Sequence, residues 1–104
     1  MPTTLLVLYP TPTDAATFDR RYRDEHAPMV GKNMPTARFR ALRVVGSPAG
    51  PPPFHRIAEL VFESTAAMQQ ALGTDGGKAT AAHATEISSG GAPVFLVCEE
   101  DAAK

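Results

Sequence analysis

The residue of this sequence best suited to chemistry is a histidine at the end of an apolar helix stripe. Phe18, Tyr22 and His26 are spaced four residues apart, so they share one face of a predicted helix. Charged residues between them predict a solvent-exposed opposite face. Because proline breaks the helical hydrogen-bond ladder, we expect the helix to end or kink near Pro28. A histidine there, with an ordinary pKa of about 6.5, could accept or donate a proton at neutral pH.

Two strand residues are further catalytic candidates. Glu59 lies between apolar neighbours in a predicted strand, where a carboxylate needs a partner or a polar cavity. It could act as a base or orient His26, or it could form an ion pair with Arg38, Arg40 or Arg43 of the neighbouring strand. Arg40 could instead polarise a carbonyl or bind a carboxylate. For His26 the structural alternative is a hydrogen bond to a backbone carbonyl at the helix end.

Four side chains are candidates for substrate contact, namely Tyr9, Tyr22, His55 and His83. Either phenol could donate to a substrate oxygen, although the spacing of Tyr22 from Phe18 also suits core packing. His55 is expected to lie in register with Glu59 on one face of its strand. No two histidines lie at metal-ligand spacing, so we predict no metal site.

The composition narrows the class of protein. A chain of 104 residues is expected to form one domain over residues 1–104. Its 43% hydrophobic and 20% charged residues are typical of soluble globular proteins, and a net charge of -1 favours neither nucleic acid nor an anionic membrane as partner. One cysteine excludes an internal disulfide. Without a signal-peptide pattern or a membrane-spanning stretch, a cytoplasmic location is expected.

Alternating and continuous apolar patterns predict the elements that must position these side chains. We predict four strands and two main helices, with strands at residues 3–9, 36–45, 54–62 and 94–98 and helices at 15–26 and 66–72. Also predicted are a stiff loop at 46–53, a turn at 74–77, a short helix at 78–87 and a frayed tail at 99–104. The order predicts an α+β, ferredoxin-like βαββαβ fold, a four-stranded antiparallel sheet with helices on one face.

The first and last strands are apolar on both faces. Because two helices cover only one face of the sheet, the other face would expose a large apolar patch on a monomer. We therefore expect a second copy of the chain to cover the open face, which makes the protein a homodimer.

Four segments match a known family in order and spacing, namely LLVLYP, FDRRYRDEHAPMV, HRIAELVFES and TDGGKATAAH. In these segments the chain resembles the EthD family of the dimeric α+β barrel superfamily. The resemblance implies that two sheets pair face to face into a barrel, with a cleft between helices and sheet in each protomer. Superfamily members include polyketide cyclases, muconolactone isomerases and cofactor-free monooxygenases of quinol-like substrates. Family members often carry an acidic residue near the position of His83.

These observations lead to two main hypotheses of function. The first is a cofactor-independent enzyme of isomerase, cyclase or monooxygenase type, acting on a small hydrophobic, oxygen-bearing compound such as a lactone, quinol or polyketide-like aromatic in a catabolic or secondary-metabolic pathway. His26 would move a proton, and Tyr9 or Arg40 would stabilise the developing oxyanion. The second is a binding or carrier protein for a hydrophobic metabolite, and a third, weaker one is a vestigial cleft. No cofactor is expected.

Overall fold

The computed structural model describes residues 1–101, and residues 102–104 of the predicted tail lie outside this range. The chain forms an antiparallel sheet of four strands in the order β2-β3-β1-β4, with bounds β1 Thr3–Pro10, β2 Arg38–Arg43, β3 Phe54–Phe62 and β4 Val94–Glu99. Helical segments join β1 to β2 and β3 to β4, namely α1 Ala15–Arg21, a π-helical turn Tyr22–His26 (the π-turn), α2 Ala27–Asn33, α3 Thr65–Gly73 and α4 Asp75–Ile87. The predicted α+β ferredoxin-like fold is confirmed.

The core lies between the helices and one face of the sheet. Alternate residues of β1 are buried, because successive side chains of a strand point to opposite faces. The buried side chains of β1 and β3 pack against helix residues in one cluster, which includes Leu5, Val7, Leu60, Phe62, Phe18, Tyr22, Met68 and Ile87. Burying each large apolar side chain stabilises the fold by roughly 1.5–3 kcal/mol. Among residues 1–101, none of the helices is long and apolar enough to cross a membrane.

Of the two outcomes expected near Pro28, an end or a kink of the first crossover helix, the end does not occur. The helix passes through the π-turn, where the amide of Ala27 bonds the carbonyl of Tyr22, and continues as α2 to Asn33. Pro28 occupies the first turn of α2, and it lacks an N–H to donate to the preceding turn. The wider turn that precedes it makes room for the proline ring.

Glycines 76 and 77 belong to a helix, so the predicted turn at residues 74–77 is wrong. Thr74 caps α4 by accepting from the amide of Gly77, and the helix runs from Asp75. A Cβ on Gly77 would lie 2.1 Å from the carbonyl oxygen of Ala71, because α4 starts directly after α3. Gly77 therefore permits close packing of the end of α3 against the start of α4. In the sequence, a glycine needed for such packing looks the same as a glycine needed for a turn.

The second face of the sheet carries exposed apolar side chains, as the sequence predicted. Strand pairing aligns Val94, Leu8, Ile57 and Leu42 in one row across all four strands. Leu96 lies beside Leu6 in the next row. No helix packs on this open face in the part of the chain described, because the helices all contribute to the core on the other side. Its coverage by a second copy stays a prediction.

Candidate functional site

An apolar cleft between the helices and the sheet contains His26. Its walls come from β1, β3, α2 and α4, with Leu72 and Phe95 also lining it, and His26 and Thr80 are the polar residues among those described there. The cleft has a volume of about 20 Å³, room for about one water molecule. Small-molecule sites usually measure roughly 300–1,000 Å³. A small molecule of ordinary size would fit only if side chains moved, and the ring of Phe95 on the edge strand is 44% exposed.

Both ring nitrogens of His26 have protein partners. The side chain, 4% exposed, extends from the end of the π-turn towards the sheet. Its Nε2 lies 3.3 Å from the hydroxyl oxygen of Tyr9, a long hydrogen bond. Its Nδ1 lies 3.0 Å from Nδ1 of His83 on α4, and the two imidazoles stack with an interplanar angle of 8°. The π-turn and α4 together therefore hold a histidine pair at the cleft.

Burial controls the protonation of these groups. Desolvation, followed by the charge of His83, lowers the pKa of His26 to about 4, because an imidazolium is poorly solvated inside the protein. Desolvation and the charge of Tyr22 raise the pKa of Tyr9 well above its ordinary value. At neutral pH His26 is therefore neutral and Tyr9 keeps its proton. Burial also raises the pKa of Tyr22 to about 12.

The hydrogen-bond partners determine which ring nitrogens of His26 and His83 carry a proton, and we assign the protons from these partners. His83 Nε2 lies 3.0 Å from the carboxylate of Glu25, so this nitrogen must carry a proton to donate. In a neutral His83, Nδ1 is then an acceptor, and His26 Nδ1–H donates to it. His26 Nε2 is left to accept from the Tyr9 hydroxyl. The hydrogen-bond chain (Tyr9, His26, His83 and Glu25) is thus satisfied with both imidazoles neutral.

The outer end of the hydrogen-bond chain is anchored by charge. Arg21 Nε donates to Glu25 at 3.0 Å, and Arg21 Nη2 donates to Glu86 at 2.7 Å. The hydrogen bond from Arg21, followed by that from His83, lowers the pKa of Glu25. Glu25 is therefore an ionised acceptor for His83. Within residues 1–101 no group of three or more histidine, cysteine or acidic side chains is arranged to hold a metal ion.

Comparison with known proteins identifies the family of this chain. The model of the EthD domain matches residues 10–88, which is most of the chain. The chain belongs to the EthD family. It is 33% identical over 94 residues to an uncharacterised 11.0 kDa protein of the thcB-thcC intergenic region of Rhodococcus erythropolis, covering 90% of this chain and 91% of that protein.

Solved structures agree with the EthD assignment. An EthD family protein from Bacillus halodurans superposes with a TM-score of 0.88 at 32% identity, covering 97% of this chain and 100% of that one. A more distant neighbour is SnoaB, a cofactor-independent oxygenase from Streptomyces nogalater, with a TM-score of 0.68 at 16% identity over 98% of this chain and 95% of that one. At this identity the similarity shows the fold alone.

Four of the seven candidates lie together in this EthD chain. Tyr9 and His26 share a hydrogen bond, His83 stacks on His26, and the rings of Tyr22 and His26 lie 5.3 Å apart. The hydroxyl of Tyr22 is buried and has no hydrogen-bond partner among the described residues. The sequence had placed only Tyr22 beside His26, and the contacts of Tyr9 and His83 with it come from the tertiary structure.

Glu59 and Arg40 lie on the opposite face of the sheet from the cleft. Glu59 pairs with Leu6 on the open face, whereas its neighbours Ala58 and Leu60 are buried in the core. Arg40 Nε donates to Glu59 at 3.2 Å, which is the ion pair considered from sequence. Because strand side chains alternate between faces, Glu59 cannot orient His26, and that interpretation is wrong. Arg40 is likewise remote from any oxyanion formed at His26.

His55 is not in register with Glu59, contrary to expectation. The pairing of β1 and β3 shifts between Tyr9 and Pro10, so that Arg56 and Phe54 are their partners and His55 is the extra residue. Such a bulge reorients a side chain, and His55 Nε2 lies 2.8 Å from the carboxylate of Asp19. It belongs to a second polar cluster on α1 and is not in the hydrogen-bond chain.

Sequence analysis missed the carboxylate of the site. Glu25 was assigned to the solvent-exposed face of the first helix, together with Asp19 and Arg21, yet all three bind side chains of other elements. The helical spacing of Arg21 and Glu25 was visible as a possible ion pair. Their link to His83 depends on the packing of α4 against the π-turn, for which the sequence carries no local signal.

Proposed function

We propose that this EthD-family protein is a cofactor-independent enzyme that transfers a proton on a small hydrophobic, oxygen-bearing compound such as a lactone, quinol or polyketide-like aromatic. One observation carries the proposal: His26 is the titratable side chain among the described residues that line an apolar cleft. Its low pKa keeps the imidazole in the basic form. The apolar walls suit a ligand with few polar groups.

In the proposed reaction, His26 Nε2 takes a proton from a carbon beside a carbonyl or from a phenol. The C–H or O–H bond breaks, an N–H bond forms, and the electron pair stays on the substrate as an enolate or phenolate. The C–H or O–H group of the substrate replaces the Tyr9 hydroxyl as the hydrogen-bond partner of Nε2. This replacement is favoured because the hydrogen bond between Tyr9 and Nε2 is long. The Tyr9 hydroxyl then donates to the new oxyanion.

The fate of the anion distinguishes the reaction types. Return of the proton to another carbon gives isomerisation, attack of the anion on a second carbonyl of the substrate gives cyclisation, and reaction with dioxygen gives oxygenation. All three begin with the same proton transfer, so His26 has the same role in each.

A second candidate function is a binding or carrier protein for a hydrophobic metabolite. The observation that favours a carrier is that both ring nitrogens of His26 already have hydrogen-bond partners, while Tyr9 is fully buried. In a carrier, this arrangement would satisfy buried polar atoms beneath an apolar ligand. Such a protein binds the same compounds but does not convert them.

The test compares wild type with His26→Ala against panels of lactones, quinols and aromatic polyketide-like acids. A ligand present at about 100 times its Kd adds roughly 2.7 kcal/mol to the free energy of unfolding, which thermal shift detects. For a compound that wild type converts, we expect His26→Ala to lower kcat by roughly 10²–10⁴-fold.

His55→Ala serves as the matched control, because His55 is also a partly buried histidine next to α1 but does not line the cleft. It should keep kcat within about threefold of wild type, which corresponds to a change of at most about 0.7 kcal/mol in the activation free energy. Stabilisation of both proteins without conversion of any ligand supports the carrier instead. If no compound class stabilises wild type, both functions are overturned.

A further inference from the structure

We infer that His83 and Glu25 form a proton relay that carries the proton accepted by His26 from the cleft to the protein surface. This inference rests on the proposed role of His26 as a base. The two residues would act through His26, so they are positioning residues for the reaction and do not touch the substrate.

The hydrogen-bond chain is continuous and becomes more exposed along its length. It passes from the fully buried Tyr9 to His26, which is 4% exposed. The side chain of His83 is 13% exposed and that of Glu25 is 40% exposed. Each of the two links beyond His26 measures 3.0 Å, which is within the range for proton transfer through a hydrogen bond. A proton can therefore leave the cleft without a water channel.

The relay avoids the energetic cost of a positive charge on the buried His26. A charged His26 would be costly, because burial disfavours the imidazolium. When Nε2 of His26 accepts a proton, its Nδ1–H bond can break as an N–H bond forms on Nδ1 of His83. His83 then holds the positive charge and donates from Nε2 to the Glu25 carboxylate. His26 is neutral again, now with its proton on Nε2.

The same transfer converts His26 from a base into an acid. With both rings neutral, Nε2 of His26 is an acceptor, and after one proton has entered the pair it is a donor. Reversal of the transfer returns a proton from Nε2 to the substrate, so the proton count balances over an isomerisation or cyclisation. Where a reaction releases the proton, Glu25 passes it to solvent.

The charged groups around His83 favour a positive charge on its imidazole. Glu25 of the π-turn faces it directly, and His26 stacks against it. Arg21 of α1 also binds Glu25, which weakens the field of that carboxylate at His83. Glu86 of α4 pairs with Arg21 at 2.7 Å and offsets the arginine charge. The cluster of two carboxylates and one arginine thus leaves a net negative charge beside His83.

The test follows the tautomer of His26 by ¹⁵N NMR of histidine-labelled, full-length protein over a pH series. In wild type we expect the proton of His26 to move from Nδ1 to Nε2 as the pair takes up one proton. Glu25→Gln should lower the pH midpoint of this switch by about one unit, because an opposite charge at this distance is lost. His83→Asn should abolish the switch, because an amide cannot take the proton.

Asp24→Asn is the matched control, because it removes one negative charge at the residue next to Glu25. The Asp24 side chain contacts Arg23 rather than His83. The control variant should move the midpoint by less than about 0.3 pH unit, since an exposed charge is screened. The relay is overturned if the His26 tautomer never changes with pH, or if Glu25→Gln and Asp24→Asn act alike.

This measurement needs no substrate, so its failure differs from failure of the proposed function. If the tautomer is constant while His26→Ala abolishes turnover, the relay is wrong and the enzyme stands. If the tautomer switches but no compound is converted, the pair titrates without catalytic use, and the relay and enzyme are both overturned.

Discussion

At the scale of single residues, the buried neutral His26 makes folding dependent on pH. Burial lowers its pKa to about 4 in the folded protein, whereas the unfolded chain has an ordinary value of about 6.5. Between these values the unfolded state binds more protons than the folded state. The stabilising contribution is therefore complete above about pH 6.5 and is lost as the pH falls towards 4.

We expect acidification from about pH 7 to about pH 4 to reduce the free energy of unfolding by roughly 3 kcal/mol through His26. His26→Gln removes the titrating group, so the loss should be smaller by about that amount. Urea unfolding of both proteins across this range measures the difference, in which contributions from the carboxylates cancel. Equal pH dependence in the two proteins would show that His26 is not held neutral by burial.

At the scale of elements, two local features bring the site together. The π-turn keeps His26 facing inward after Phe18 and Tyr22, so the three side chains share one face, as their spacing predicted, and all three are buried. The close junction of α3 with α4 sets the position of the helix that carries His83. Gly77 is central to this junction, because a Cβ there would collide with the backbone of Ala71 and Leu72.

Gly77→Ala should therefore destabilise the protein by roughly 1–3 kcal/mol through overpacking against a backbone carbonyl that cannot rotate away. Gly31→Ala is the matched control, since Gly31 is also helical and a Cβ there meets nothing within 4 Å. That change should stabilise by roughly 0.4–1 kcal/mol. Thermal unfolding of the two variants compares them directly, and similar effects from both would contradict the close junction.

At the scale of the whole molecule, the open face of the sheet is an exposed apolar surface. The row from Val94 to Leu42 crosses every strand. Leu96 and Leu6 extend it into a patch rather than isolated side chains. Contiguous exposed apolar surface of this kind marks an interaction site in soluble proteins. A second copy would supply an equally apolar sheet face, as two-fold symmetry requires.

We propose that the protein is a homodimer through this face, and Leu96→Glu tests it by placing a charge at the proposed contact. Burying an unpaired carboxylate is strongly unfavourable, so the variant should be monomeric at micromolar concentration while wild type is dimeric. Val45→Glu is the control, because Val45 is 87% exposed and lies outside the sheet. Sedimentation velocity gives the masses. A monomeric wild type would exclude the dimer.

Much of the fold was accessible from sequence, since strand and helix patterns are local. The alternation in β3, the imperfect alternation in β2 and the continuous apolar runs of β1 and β4 predicted four strands close to their observed positions. Glycines misled the prediction at residues 74–77, and at Pro28 the helix is interrupted by the π-turn but does not end. In both places a residue that usually ends an element is accommodated by a neighbouring segment, either the π-turn or the end of α3.

The sequence alone determined that His26 shares one helix face with Phe18 and Tyr22, because a shared face follows from spacing within one helix. Only the tertiary structure decided which groups His26 contacts. Tyr9 and His83 reach it from β1 and α4, and Glu25 joins them from a helix face that had been assigned to solvent. Glu59 was directed to the other face by strand register. Hydrogen bonds between distant segments depend on packing, and packing has no local signature in the chain.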